Sequence, residues 1–158
     1  MALFSMAINW CFTEPWITAA NNTIISYPNV KKAGYFAMKE SLRPVLASAR
    51  IPHFVWKAGD CFSAEVWLLN NSPEEAETEI KAVIEIGGEE YELINWQKAK
   101  AEANTNKIGP SVNFVLPEIK DCDFFILKLK TPNGEYNSSY KLKYTAENKE
   151  ELKGILNV

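Results

Sequence analysis

The chain has one histidine, three cysteines, seven glycines and no apolar run long enough to cross a bilayer. Each shortage removes a class of function. A Ser-His-Asp or Cys-His nucleophilic pair could draw only on His53. That residue sits between Pro52 and Phe54 at a predicted strand end, the setting of a surface imidazole. Cys11, Cys61 and Cys122 are widely spaced and odd in number, so no metal-binding spacing exists. Each reads as a small buried apolar residue, with a Cys61–Cys122 bridge as the open alternative. There is no glycine-rich phosphate loop and no basic-aromatic RNA-binding patch. No cofactor is implied. A net charge of −3 gives no case for nucleic acid or an anionic membrane as partner. The most apolar stretch, residues 3–12, is about half the length of a membrane span and is interrupted by Ser5 and Asn9.

What remains is an ordinary globular composition. With 158 residues, 47% apolar and 23% charged, the chain fits one domain or one domain plus an appendage. Its pattern changes once, at Pro44. Residues 3–12 are nearly all apolar and read as a strand buried on both faces, as in parallel sheets. Residues 13–27 form a loop rich in Asn, Thr and Ala that carries Trp16. Asn29 is the expected N-cap of a helix running to about Leu42, stopped by Pro44. Ala33, Phe36, Ala37 and Glu40 share one helical face, and Lys32, Lys39 and Ser41 look outward. Residues 1–44 are thus one strand–loop–helix unit of an α/β protein.

From Val45 the period becomes two. Residues 45–51 form a first strand, and Lys57-Ala58-Gly59-Asp60 a turn. Phe62, Ala64, Val66 and Leu68 face inward, with Ser63, Glu65 and Trp67 outward. Ile80, Ala82, Ile84 and Ile86 then alternate with Lys81 and Glu85. Gly87-Gly88 is a tight hairpin leading into residues 89–96. Residues 98–103 have helix propensity, but the alternation of Ala99, Ala101 and Ala103 with Lys98, Lys100 and Glu102 assigns them to a strand. Residues 112–116 are a short strand. Residues 124–130 and 135–144 flank the turn Pro132-Asn133-Gly134, and Tyr136, Ser138, Tyr140, Leu142 and Tyr144 share a face. Seven or eight short strands with such turns predict an immunoglobulin-like antiparallel β-sandwich over residues 45–146. The tail, residues 147–158, is polar and then weakly helical.

Three groups of residues carry candidate chemistry. Trp10 and Trp16 either pack in a core or form a sugar platform, with pyranose C–H faces on the rings and neighbouring Asn, Thr and Glu side chains taking hydroxyls. Trp10 lies at the C-terminal end of its predicted strand, where α/β barrels keep active sites. Glu14, beside both, is either one of a catalytic carboxylate pair or a solvated or helix-capping residue. Glycoside hydrolysis by retention needs two carboxyl groups about 5–5.5 Å apart, and no second barrel strand is present to supply a partner. The aromatics Trp67, Trp96, Tyr136 and Tyr140 either fill the sandwich or pack on a neighbour, or form a carbohydrate-binding strip. Asn21, Asn70 and Asn137 begin glycosylation sequons of the kind that arises by chance.

Asn9-Trp10-Cys11-Phe12-Thr13-Glu14-Pro15-Trp16, then Ile25-Ser26-Tyr27-Pro28, then Lys32-Ala33-Gly34-Tyr35-Phe36-Ala37-Met38-Lys39 and Arg43-Pro44-Val45 together resemble the last barrel unit of glycoside hydrolase family 2. That family includes β-galactosidases, β-mannosidases and β-glucuronidases. The resemblance covers about the first quarter of the chain. It implies that residues 1–44 are the end of a (β/α)8 barrel and that an immunoglobulin-like domain follows. It also implies that Trp10 lines a sugar subsite from the eighth strand and that Trp16 is the next loop aromatic. Thr13, Glu14 and Ile17 depart from the usual Asn-Asp/Glu-Pro, which leaves the sugar open. The family's acid/base and nucleophile glutamates lie on earlier strands, so no residue here inherits a catalytic role. The expectation is a non-catalytic C-terminal piece of a β-glycosidase, with carbohydrate bound through the parent active site by Trp10, Trp16 and Glu14. Its other partners are the upstream barrel and sandwich domains of the same parent chain, or further copies joined through residues 3–12. An export signal of a periplasmic or secreted parent would lie upstream. The alternative is a stand-alone β-sandwich module that binds carbohydrate or protein.

Overall fold

The computed structural model describes residues 11–17 and 22–146, which fall into two compact units, Met1–Arg43 and Pro44–Val158. Residues 3–10 of the strand predicted over 3–12, Trp10 among them, and the predicted tail, residues 147–158, lie outside the described residues.

In the first unit, β1 (Ile25–Ser26) and β2 (Val30–Lys31) form a two-stranded antiparallel ladder, followed by α1 (Ala33–Ser41). The Tyr27–Pro28 peptide in the turn between them is cis. This ladder corrects the predicted helix start. Ser26 pairs with Val30, so Asn29 sits in a hairpin turn and Lys32 becomes the N-cap residue, without a side-chain capping bond. The expected inner face of the helix is open: Phe36 is 55% exposed, and α1 buries no residue.

In the second unit, β3 (Val45–Arg50), β5 (Cys61–Asn70) and β8 (Thr105–Val115) form one sheet in the order β3-β5-β8. The other holds β4 (Val55–Lys57), β6 (Ala76–Ile86), β7 (Glu89–Ala101), β9 (Phe124–Lys130) and β10 (Ser138–Thr145), ordered β4-β10-β9-β6-β7. All pairings are antiparallel except that of β4 with β10. The inner faces meet in one core as the alternation predicts: Phe62, Ala64, Val66 and Leu68 against Ile80, Ile84, Phe125, Leu127 and Leu142. Trp56 of β4, not foreseen as a core residue, is buried and meets Phe62 edge-on at 5.0 Å between ring centroids, and Phe62 meets Phe125 at 5.4 Å. The unit is a mainly β sandwich.

Several predicted boundaries move. Residues 98–101 are indeed strand, with Ala99 and Ala101 buried, but Ala103 is exposed in the turn to β8. The strand survives its mixed composition by bulging: β7 has an extra residue between Trp96 and Ala99, where Lys98 takes φ 51°. β8 is eleven residues long rather than five, because β5 offers a partner along almost its whole length. A bulge next to Gly109-Pro110 absorbs the break in β8. The Trp96 ring lies so close over Gly109 that a Cβ there would overlap it. β10 starts at Ser138 rather than 135, since residues 131–137 form a longer turn whose Thr131 N–H bonds Asn137 Oδ1 at 2.6 Å. Cys11, Cys61 and Cys122 are all free thiols, so the bridge does not form.

Asn70 is fully buried at the end of β5. Its amide nitrogen donates to the carbonyls of Glu74, Ala101 and Glu102 at 2.8, 3.2 and 2.9 Å. Its oxygen accepts from the Ser72 N–H at 3.0 Å and from Ser72 Oγ at 2.6 Å. Tyr144, also fully buried, donates to the Pro117 carbonyl at 2.6 Å and accepts from the Ile119 N–H at 3.0 Å. On the solvent face of the five-stranded sheet, Glu90 takes Lys130 Nζ at 2.8 Å and Lys128 Nζ at 2.9 Å, and Lys128 also pairs with Glu85. The hydrogen bonds from Lys130 and then Lys128 hold the Glu90 carboxyl at about 2, below its ordinary 4.5.

Replacing Asn70 with Ala removes the amide that links two crossings, although Glu74 keeps Ser72 Oγ and Glu102 keeps Thr105 as donors, and is expected to cost about 1–3 kcal/mol. Replacing Tyr144 with Phe strands one carbonyl and one N–H and is expected to cost about 1–2 kcal/mol. Urea denaturation of the two variants checks both. Glu90 binds a proton more weakly in the folded chain than in the unfolded one. Its pairs therefore stabilise the fold above pH 4.5, and that contribution is lost as pH falls toward 2. The stability gap between wild type and Glu90→Gln is expected to close over that window, and to narrow at neutral pH in about 1 M salt.

Candidate functional site

The loop that carries Trp16 is built on the first unit's short strands. Residues 12–14 lie parallel to Ile25: the Ile25 N–H bonds the Phe12 carbonyl and the Glu14 N–H bonds the Ile25 carbonyl, both at 3.0 Å. On the far side of this strand the Lys32 N–H bonds the Ile24 carbonyl at 3.0 Å. The three segments 12–14, 24–26 and 30–32 are therefore laced side by side.

Glu14 points into this lacing. It is 8% exposed, and Oε2 accepts the Tyr27 N–H at 3.3 Å. Oε1 lies 3.9 Å from Lys32 Nζ, and Lys32 Nζ also donates to Oγ1 of the buried Thr23 at 3.2 Å. Lys32, expected to look outward, thus folds back to the carboxylate. A lysine beside a lone glutamate in an apolar loop was the available signal, but its sequence separation of 18 residues hid it. Trp16, two residues after Glu14, is 68% exposed, with Ile17 and Phe12 also open to solvent. The structure therefore brings Glu14 and Trp16 onto one loop but sends their side chains to opposite environments.

No catalytic pair can be assembled here. The only acidic residues of Met1–Arg43 are Glu14 and Glu40, and Glu40 pairs with Arg43 at 3.6 Å on the exposed helix. His53 is exposed and stacks on Trp56 with ring centroids 3.7 Å apart, while its carbonyl accepts the Trp56 indole N–H at 3.1 Å. Among the described residues no cluster of His, Cys, Asp or Glu could hold a metal, and no helix is long and apolar enough to cross a membrane.

The four sandwich aromatics do not line up as a strip. Trp96, Tyr136 and Tyr140 pack, half-buried, against the core. The Tyr140 hydroxyl accepts the Ala49 N–H at 3.0 Å and lies 3.2 Å from Ser48 Oγ. Trp67 sits alone on the outer face of β3-β5-β8, between Ser48 and Ile108, and its indole N–H is buried without a partner among the described residues. Farther along that face, Arg50, Pro52, Ser63, Glu65, Ser111 and Asn113 line a shallow groove of about 400 Å³. The Arg50–Glu65 ion pair, 3.4 Å long, lies on its wall. Two of the three sequon asparagines are engaged: Asn70 is buried, and Asn137 Oδ1 holds Thr131. Asn21 lies outside the described residues.

By sequence the chain matches no protein-family model and no curated protein. Solved structures do resemble it. A β-D-mannosidase from Dictyoglomus thermophilum superposes with TM-score 0.52 at 19% identity, over 77% of this chain and 14% of that one. The CARDB domain of the PF1109 protein from Pyrococcus furiosus, solved with di-metal ions, gives TM-score 0.48 at 12% identity, over 65% of this chain and 94% of that one. The chain thus spans about a seventh of the mannosidase's length, and identity at this level speaks to fold alone.

Proposed function

We propose that this chain is the C-terminal piece of a β-glycosidase of glycoside hydrolase family 2. Residues 1–44 supply the last strand, loop and helix of the catalytic barrel, and residues 45–146 form an immunoglobulin-like sandwich that buttresses it. Trp10 and Trp16 belong to the sugar-facing wall, Glu14 supports it from inside the loop, and the catalytic carboxylates come from earlier barrel strands. The observation that carries this reading is the number of apolar side chains the first unit leaves uncovered. Phe12, Trp16, Ile17, Tyr27, Val30, Phe36 and Leu42 are all exposed within about thirty residues. A soluble unit rarely leaves so much apolar surface open unless another surface covers it. The likeness to the mannosidase supports the sandwich half of the proposal. The order of β3-β5-β8 against β4-β10-β9-β6-β7, with β4 added parallel to the last strand, supports its immunoglobulin type.

A second reading, a stand-alone β-sandwich module binding carbohydrate or protein, is favoured by Trp67 and the polar groove on the same outer face. One titration separates the two. Methyl β-D-mannopyranoside, -glucopyranoside and -galactopyranoside are added to the ¹⁵N-labelled chain, and the indole N–H signals are followed. Shifts at Trp10 and Trp16, lost in Trp16→Ala, are expected, with no turnover of chromogenic β-glycosides. Shifts confined to Trp67 and the strands around it would favour the module. Turnover by the isolated chain would overturn both readings.

A further inference from the structure

We infer that Glu14 is a positioning residue for Trp16: its carboxylate, clamped between the Tyr27 N–H and Lys32, fixes the loop that presents the indole. What Trp16 is presented to rests on the sugar-wall reading above; the clamp itself rests only on geometry.

Trp16 is 68% exposed, so packing does not hold its ring. Its direction must come from the backbone, and the last backbone anchor before it is the Glu14 N–H bond to Ile25. Beyond that point the only tether among the described residues is the Glu14 side chain. The intervening Pro15 makes the tether effective. Proline fixes its own φ and keeps the preceding residue extended, so little freedom separates a held Glu14 from Trp16. Lys32 completes the clamp from the N-cap position of α1 and is itself steadied by the buried Thr23 hydroxyl. One carboxylate thereby joins the loop, the β1–β2 hairpin and the helix start. A carboxylate so buried and so engaged is not free to take a sugar hydroxyl. Glu14 thus serves the wall through Trp16.

The test is ¹⁵N relaxation on the full 158-residue chain, reading the amides of Glu14, Trp16 and Ile17 and the Trp16 indole. Wild type is expected to show rigid-backbone order parameters of about 0.85, and Glu14→Ala values below about 0.6, with the β3–β10 strands unchanged. Glu14→Gln is expected to restore most of the order, because its amide oxygen still accepts the Tyr27 N–H. If Glu14→Ala also erases the α1 signals, Lys32→Met decides, since the Lys32 side chain makes no helix-capping bond. A more mobile Trp16 loop with α1 intact supports the clamp. A loop unmoved in either variant, or already mobile in wild type, overturns it. Methyl β-D-mannopyranoside titrated into wild type and Glu14→Ala forms a separate arm. If the presenting conformation falls to about a tenth of the population, apparent affinity is expected to weaken about tenfold. Absence of any wild-type shift would count against the sugar wall and leave the relaxation result standing.

Discussion

A two-sheet fold meets its hardest constraint where the chain leaves one sheet for the other. Each departure takes peptide groups out of a ladder while they are still near the core, and an unpaired buried carbonyl or N–H costs more than an average hydrogen bond contributes. Asn70 meets that constraint for two crossings at once, β5 to β6 and β7 to β8, by offering its amide to carbonyls of Glu74, Ala101 and Glu102. Its two protons face three oxygens, so one bond is shared, while Ser72 Oγ also serves the Glu74 carbonyl and Thr105 the Glu102 carbonyl. Other crossings are settled by the same means. Tyr144 serves β8 to β9 through Pro117 and Ile119, and the Trp56 indole serves β3 to β4 through the His53 carbonyl. Asp60 serves β4 to β5, its carboxylate taking the Lys57 N–H at 2.8 Å. Polar side chains are thus spent at the corners of the sandwich, and the layers between them are left to aliphatic and aromatic packing.

This division explains which parts of the fold were legible. Strand interiors obey a two-residue period dictated by burial, so Phe62 to Leu68 and Ile80 to Ile86 could be assigned to faces from sequence. The Gly87-Gly88 hairpin could be read because φ values of 61° and 88° there favour glycine. The corners could not. Asn70 looks like the start of a sequon, and nothing local reveals partners 31 and 32 residues away. β4 was missed for a related reason. Three residues carry no period, and that strand exists because β10 offers a parallel edge to Val55, Trp56 and Lys57. The length of β8 was hidden by Gly109-Pro110, which reads as a break unless a bulge is allowed and a ring such as Trp96 needs the space above the glycine.

The candidate site was legible in composition and illegible in orientation. Two tryptophans and a glutamate on one loop could be read as a sugar wall. Burial separates them: Glu14 goes inward to Lys32 and Trp16 outward to solvent. The helix start was misplaced because Asn29 is a good cap by type, whereas the Ser26–Val30 pairing had already committed it to a turn. In the first case an ion pair across 18 residues, and in the second a short hairpin, overrode the preference of the single residue.

The first unit inverts the usual arrangement of a folded piece. Its buried side chains include a carboxylate and a threonine, while Phe12, Trp16, Ile17, Phe36 and Leu42 stay open. Among its described residues the one buried apolar side chain is Ile25. Its shape depends instead on directional contacts: three laced backbone segments and an ion pair drawn in among them. Such contacts fix geometry while contributing modest net stability, because a partly buried ion pair recovers little beyond its own desolvation cost. Apolar side chains of the described residues stay on the surface, where covering them would add hydrophobic stabilisation. A loop set in place by polar clamps can keep its aromatic in one orientation whether or not the apolar side chains around it are covered. On the sugar-wall proposal, that arrangement favours pre-organisation over adjustment on binding.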